Sequence, residues 1–190
     1  MKLVIGLGNP GKKYEGTRHN VGFAVLELLA KRWGCGPSTT RFQSLCEEAR
    51  RPDKSGVDEQ TLLLRPQTFM NLSGASVLAA RDFYKVPHEK ILVLCDDFAL
   101  PLGKLRLRPK GSAGGQKGLA DIIKRLGTEE IPRLRLGVGP LPEGWNAADF
   151  VLGRFAAGEK TEIEITTQFA ADAVELWLKS DLTTTMTKFN

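Results

Sequence analysis

The first 34 residues restrict the fold more than any other stretch. Lys2-Leu-Val-Ile-Gly-Leu7 is short, apolar and closely followed by glycine, the pattern of a buried strand. Gly6-Leu-Gly8-Asn9-Pro10-Gly11 then turns the chain. From Asn20 to Trp33, Val21, Val25, Leu28 and Leu29 fall at helical spacing, with Asn20 placed as an N-cap and Gly34 as a stop. A buried strand running into a helix needs more of the same around it, and the remaining sequence supplies it. Candidate strands lie at 42–50 and 61–65, around a polar loop at 52–60 that reads as mobile. Ser73 to Tyr84 and Lys117 to Leu126 read as helices, and Ile91 to Cys95 as an apolar strand ending in Asp96-Asp97. Residues 104–108 and Arg133 to Val138 alternate as strands do. Thr161 to Lys179 is the last predicted helix, with Ile165, Phe169, Ala173, Leu176 and Trp177 on one stripe, and 180–190 reads as a frayed tail. Alternating strands and helices predict an α/β fold: one domain over residues 1–190, with a twisted mixed sheet flanked by helices.

Composition narrows the class. With 42% hydrophobic residues in 190, the chain can bury a core. The three cysteines, Cys35, Cys46 and Cys95, form no C-x-x-C pair, which favours a reducing, cytoplasmic setting over a disulfide framework. Lys2 enters the first strand directly, so no signal peptide is expected, and no apolar run is long enough to span a membrane. Two distant histidines and wrongly spaced cysteines disfavour a metal.

The glycine turn matches G-x-G-x-x-G, the dinucleotide-binding pattern, but poorly. Pro10 interrupts it, the loop continues to His19 before a helix opens, and the acidic residue expected at the end of a second strand is missing. A plainer reading is a tight turn in which Asn9 bonds its own backbone. A functional one has the Asn9 amide facing a cleft at the carboxyl end of the first strand, where open α/β sheets bind ligands.

His19 is the strongest candidate for proton chemistry. Only His88 shares its side chain, and His88 falls on a polar link at the surface. An imidazole titrates near pH ~6.5. A position just before a helix N-terminus disfavours the charged ring, which suits a general base. Asp96 ends a buried strand and would lie at the same sheet end as Asn9 if the two strands run parallel. There it could orient one ring nitrogen of His19. Either Asp96 or Asp97 must instead be a simple turn aspartate. Thr68-Phe69-Met70-Asn71 precedes a helix that Asn71 could cap, or it could form an apolar wall with a polar reader.

The main charge signal lies between 104 and 135, with nine Lys/Arg against three Asp/Glu, an excess larger than the +5 of the whole chain. Strand alternation would put Lys104, Arg106 and Arg108 on one face, about 6.6 Å apart. Beside them, Gly111-Ser-Ala-Gly114-Gly115-Gln116-Lys117-Gly118 favours an anion near a helix start, though it is no Walker loop. Arg133 and Arg135 alternate likewise and could join the patch.

Gly-Leu-Gly-Asn-Pro-Gly, Thr17-Arg-His-Asn-Val-Gly22, Thr68-Phe-Met-Asn-Leu-Ser-Gly74, Asp96-Asp-Phe-Ala-Leu-Pro-Leu-Gly103 and Gly111-Ser-Ala-Gly-Gly115 together resemble bacterial-type peptidyl-tRNA hydrolases, in family order and up to about residue 179. The resemblance implies a monomeric α/β fold of the phosphorylase/hydrolase-like kind. It also implies hydrolysis of the ester joining a peptide to the 3′ ribose of tRNA, in the recycling of stranded peptidyl-tRNA during translation, without metal or cofactor. By the same resemblance His19 is the base that activates water and Asp96 supports it. Asn9 and Asn71 bond the peptide main chain, Tyr14 and Phe69 line the tRNA 3′ end, and Arg108 and Arg135 hold a phosphate. The chain departs from the usual Gly-Gly-His-Asn-Gly at Gln116-Lys117. A charged lysine cannot accept a hydrogen bond, so Lys117 is expected to touch substrate but not to position water. A rival reading, an RNA-binding relative without hydrolysis, draws its support from that departure.

Overall fold

Apolar strands that read as buried are buried because helices cover both faces of one sheet. The computed structural model describes residues 1–190. In chain order the elements are β1 (Lys2–Gly6), α1 (Val21–Arg32), β2 (Thr39–Arg41), β3 (Ser44–Pro52), β4 (Asp58–Pro66), α2 (Ser73–Tyr84), β5 (Ile91–Pro101), β6 (Leu105–Arg108), α3 (Lys117–Leu126), β7 (Arg133–Gly139), α4 (Ala147–Leu152), α5 (Lys160–Lys179) and α6 (Leu182–Phe189). The seven strands form one sheet in the order β2-β3-β4-β1-β5-β7-β6. β4, β1, β5 and β7 run parallel, while β2, β3 and β6 pair antiparallel at the two sides. The mixed sheet is as expected.

Strand alternation divides the core in two. Val4, Leu63, Leu92, Leu94 and Leu134 point to one face and pack with Val25, Leu26 and Leu29 of α1 and Ala170, Ala173, Val174 and Trp177 of α5. Leu3, Ile5, Leu62, Leu64 and Val93 point to the other and meet Val77 and Ala80 of α2 and Leu119 and Ile122 of α3. No helix is long and apolar enough to cross a membrane.

α2 and α3 fall on the expected residues, and α1, β7 and α5 within a residue or two. Four expectations need correction. The polar stretch 52–60 is no long loop, because β3 and β4 run on to Pro52 and Asp58 as a hairpin. Its turn is closed by Asp53 Oδ1, which accepts from the Ser55 and Val57 amides. The buried stripe of α5 is rotated: Ile165 and Phe169 are exposed, and Leu176 is only partly buried. Small residues at 170, 171 and 173 give the closer packing surface instead. The tail expected to fray forms α6, capped by Asp181 Oδ1 accepting from Thr184 N. Finally, α4 and β2 occur where no element was expected.

One glycine decides how α1 meets the sheet. A Cβ on Gly22 would lie 2.5 Å from Leu7 N, 2.6 Å from Leu7 O and 2.7 Å from Leu94 O. Only glycine lets the first turn of α1 rest against the ends of β1 and β5, and that turn follows His19 directly.

Candidate active site

The carboxyl ends of β1, β4 and β5 open onto a cavity of about 460 Å³. Open α/β sheets bind ligands at this end. β1 delivers Asn9, the segment after β4 delivers Phe69, Met70 and Asn71, β5 delivers Asp96, Asp97 and Phe98, and the turn before α3 delivers Gly114 to Lys117. Ala147, Ala148, Val151 and Leu152 of α4 form the remaining wall.

His19 sits in a 3-10 turn, Arg18–Asn20, ahead of α1. The neighbours of His19 hold this turn. Arg18 is buried, stacks on Phe150 and Phe155, and bonds Glu159 Oε2 at 2.6 Å and the carbonyls of Val138 and Arg154. On the other side, Asn20 clamps the glycine turn: its Oδ1 accepts from Asn9 N and its Nδ2 donates to Asn9 O, each at 2.9 Å. Asn20 therefore does not cap α1 through its side chain, contrary to what its place before the helix suggests.

β1 and β5 are parallel neighbours, with Gly6 opposite Leu94, so Asp96, two residues further along β5, lies level with the loop that leaves β1 and carries His19. His19 Nδ1 lies 2.8 Å from Asp96 Oδ2. The Asp96 side chain is only 3% exposed and that of His19 12%. A carboxylate only accepts, so Nδ1 carries the proton and Nε2 is left as an acceptor in the neutral ring. The second Asp96 oxygen, Oδ1, accepts from Gln116 Nε2 at 3.1 Å. β5 runs past the expected end at Cys95 to Pro101, so both aspartates lie within the strand and neither is a simple turn residue. At the irregularity after Asp97, its Oδ1 accepts from Ala99 N, and its Oδ2 pairs with Arg135.

Asn9 is buried and its Oδ1 accepts from Met70 N at 2.8 Å, not from its own backbone. Its amide N–H₂ is the group left for the cavity. Asn71 is exposed at the rim and does not cap α2. Phe69 stands 56% exposed beside it.

Several expected residues are placed otherwise. Tyr14 is partly buried in a 3-10 turn beneath Lys13 and does not line this cavity. Arg133 is no part of a surface patch. It is 1% exposed, and its guanidinium donates to the carbonyls of Ile131, Gly111, Ser112 and Glu129, tying two loops together. Arg135 is only partly free, since it bonds Asp97 and Ser112 O. Arg106 and Arg108 are exposed on the edge strand β6. Arg106 is opposite Arg135 and shares its sheet face, so the patch reaches the cavity through Arg135 beneath Gly114. Lys117 is exposed at the cavity mouth.

The amides and glycines of the G-x-G-x-x-G turn are engaged within the protein. Leu7 N bonds Leu94 O and Asn9 N bonds Asn20. Gly6 and Gly8 make room for the Gly22 carbonyl and the Phe23 ring rather than for a pyrophosphate. No three His, Cys, Asp or Glu side chains converge anywhere as a metal site.

Absent from the expectation were Arg18, Gln116 as a bonded partner, and the α4 wall, while Met70, expected with Phe69 as an apolar wall, lines the cavity but is buried. For α4 a signal existed: the Gly144-Trp145-Asn146 turn, in which Asn146 Oδ1 caps the helix. Nothing in the sequence marked Arg18 as the anchor.

The model of the family described as peptidyl-tRNA hydrolase matches residues 3–190. Peptidyl-tRNA hydrolases of Rhodopirellula baltica and Carboxydothermus hydrogenoformans are 48% and 47% identical over 190 residues, covering all of this chain and 97% and 98% of those relatives. The crystal structure of the Acinetobacter baumannii peptidyl-tRNA hydrolase superposes with a TM-score of 0.90 at 31% identity, covering 100% of this chain and 94% of that one. With near-complete coverage in sequence and in three dimensions, the chain belongs to the peptidyl-tRNA hydrolase family.

Proposed function

We propose that the chain hydrolyses peptidyl-tRNA, with His19 as general base. The 2.8 Å contact between His19 Nδ1 and Asp96 inside the cavity, beside the Asn9 amide, is the observation that carries this reading. His19 Nε2 takes a proton from water, and the resulting hydroxide adds to the ester carbonyl carbon. The amide N–H groups of Asn9 and Asn71 face the oxygen on which negative charge develops. On collapse the bond from carbonyl carbon to ribose oxygen breaks, and the imidazolium returns its proton to that oxygen. The products are tRNA with a free terminal hydroxyl and the peptide acid, which loses the remaining water proton to solvent and leaves as the carboxylate. Asp96 favours the ring whose proton is on Nδ1 and stabilises the imidazolium formed in the first step. A general base contributes about 10²- to 10⁴-fold, and each well-aimed amide about 2.7–4 kcal/mol.

Phe69, exposed beside Asn71, offers a stacking face for a terminal base. Lys117 stands at the first position of α3, where the helix dipole disfavours a cation by about 0.3–1 kcal/mol. An anionic substrate at the mouth offsets that cost. Arg108 and Arg135 extend the positive surface for the tRNA backbone.

His19→Ala tests the reading. Turnover of a blocked aminoacyl-tRNA should fall at least about a hundredfold while tRNA binding stays near wild type. Near-wild-type turnover removes His19 as the base.

A further inference from the structure

Gln116 occupies an unusual position for its type. It is the N-cap of α3, where short side chains such as Asn, Asp, Ser and Thr are preferred. A glutamine must fold back to cap, and here it does: Oε1 accepts from Leu119 N at 2.7 Å. That bond fixes which end of the amide is which, because only the carbonyl oxygen can accept from a backbone N–H. Nε2 is thereby turned inward, 3.1 Å from Asp96 Oδ1 and 3.2 Å from Met70 Sδ. Gly118 keeps the space open, since a Cβ there would press on Met70 Sδ at 2.5 Å. A serine or asparagine would cap the helix as well but could not reach the carboxylate.

We propose that Gln116 is a positioning residue for the hydrolysis: its amide, anchored by the cap, holds Asp96 Oδ1 and so aims Oδ2 at His19 Nδ1. The role rests on His19 being the base. Without Gln116, the Asp96 carboxylate has one directional partner and can rotate about its last side-chain bond. With it, both oxygens are assigned and the plane of the carboxylate is set. The donor is also uncharged. A lysine or arginine in the same place would compete with the imidazolium for the negative charge of Asp96, whereas an amide orients the carboxylate and leaves the charge for the ring. An imidazole can likewise donate from one nitrogen and accept at the other, so the histidine of the usual family pattern could serve both contacts. The chain's departure from that pattern therefore preserves the geometry while removing a titrating group from behind Asp96.

The experiment compares Gln116→Met, Gln116→Ser and Gln116→His, and sets Gln116→Met in the His19→Ala background. Methionine keeps the bulk but loses cap and donor, serine keeps the cap and loses the donor, and histidine keeps both. Loss of a buried hydrogen bond to a charged group should lower kcat about tenfold or more in the Met and Ser variants, with KM within about twofold. Gln116→His should recover to within about threefold of wild type. In the His19→Ala background, Gln116→Met should cost nothing further, because a residue acting through the base has nothing left to act on. Wild-type kcat in Gln116→Ser or Gln116→Met, a loss confined to KM, or an equal loss in both backgrounds overturns the proposal. If Gln116→Met does not fold, the Ser and His pair decides, and equal rates in those two overturn it. The two readings fail separately. A fully active His19→Ala removes the base, whereas an inactive His19→Ala beside a fully active Gln116→Ser removes only the positioning role.

Discussion

Asp96→Asn probes the central pair most sharply, because the surroundings dictate how the new amide must sit. In the wild-type chain Oδ1 accepts from Gln116 Nε2 and Oδ2 from His19 Nδ1. Asparagine offers one acceptor and two N–H donors. Gln116 presents only its Nε2 donor to it, since the cap bond holds Oε1 toward Leu119 N. The asparagine carbonyl must therefore face Gln116, and its N–H₂ must face the ring. His19 then accepts at Nδ1 and carries its proton on Nε2, the atom from which water would be activated. Restoring the productive ring leaves two buried N–H groups facing each other, at about 1–3 kcal/mol for each unsatisfied group. Together these cost about 2–6 kcal/mol, a loss of roughly 30-fold to 10⁴-fold in rate. Asp96→Ala should be the faster of the two variants, since nothing then imposes the wrong proton position. The assay is single-turnover release of a labelled N-acetylaminoacyl group from tRNA with enzyme in excess, with tRNA affinity measured in parallel. An Asp96→Asn rate within about threefold of wild type refutes the reasoning, as does an alanine variant slower than the asparagine one.

Three further outcomes are expected. Arg108→Glu should weaken tRNA binding and reduce the slope of log affinity against log salt by about one for each phosphate no longer neutralised, measured by filter binding, and an unchanged slope rejects the patch. Arg133→Leu should lower stability by about 3 kcal/mol, since several loop carbonyls lose their donor, and lower Tm by roughly 6–12 °C, whereas an unchanged melt would mean water replaces the guanidinium. Burial pushes the Cys95 thiol up to about 12 and the Cys46 thiol up to about 11. Burial raises the Cys35 thiol as well, but Cys35 alone is partly exposed, so native labelling at pH 8 followed by mass spectrometry should find modification at Cys35 first, and rapid labelling of Cys95 contradicts the packing.

What could be read without coordinates followed physical lines. α2 and α3 were legible because apolar residues repeat on one face and glycine or a polar residue stands at their ends. The parallel pairing of β1 and β5 was only a condition in the sequence, yet it was enough to place Asp96 near His19, 77 residues apart. Other features depend on partners distant in the chain. α6 contains four threonines in eight residues, weak helix formers, and stands because Asp181 caps it and Thr185 is buried. The polar hairpin of β3 and β4 lies toward one side of the sheet, where one face stays solvated, so its residues resemble a loop. Arg133 and Arg135 alternate identically in the sequence, but one is enclosed by four carbonyls and the other reaches Asp97. Alternation assigns a face and is silent about what covers it. Gln116 showed the same limit, since only coordinates reveal that its two amide ends have different partners.

At the far side of the sheet, Asn190 Oδ1 accepts from Leu107 N at 2.6 Å and its Nδ2 donates to Leu107 O at 3.2 Å. A single side-chain amide thus imitates the next strand and occupies the outward peptide group of β6. At the opposite margin, β2 spans only three residues. Both borders are therefore poor templates for another chain, a safeguard against edge-to-edge polymerisation that leaves the side chains of the basic border strand exposed.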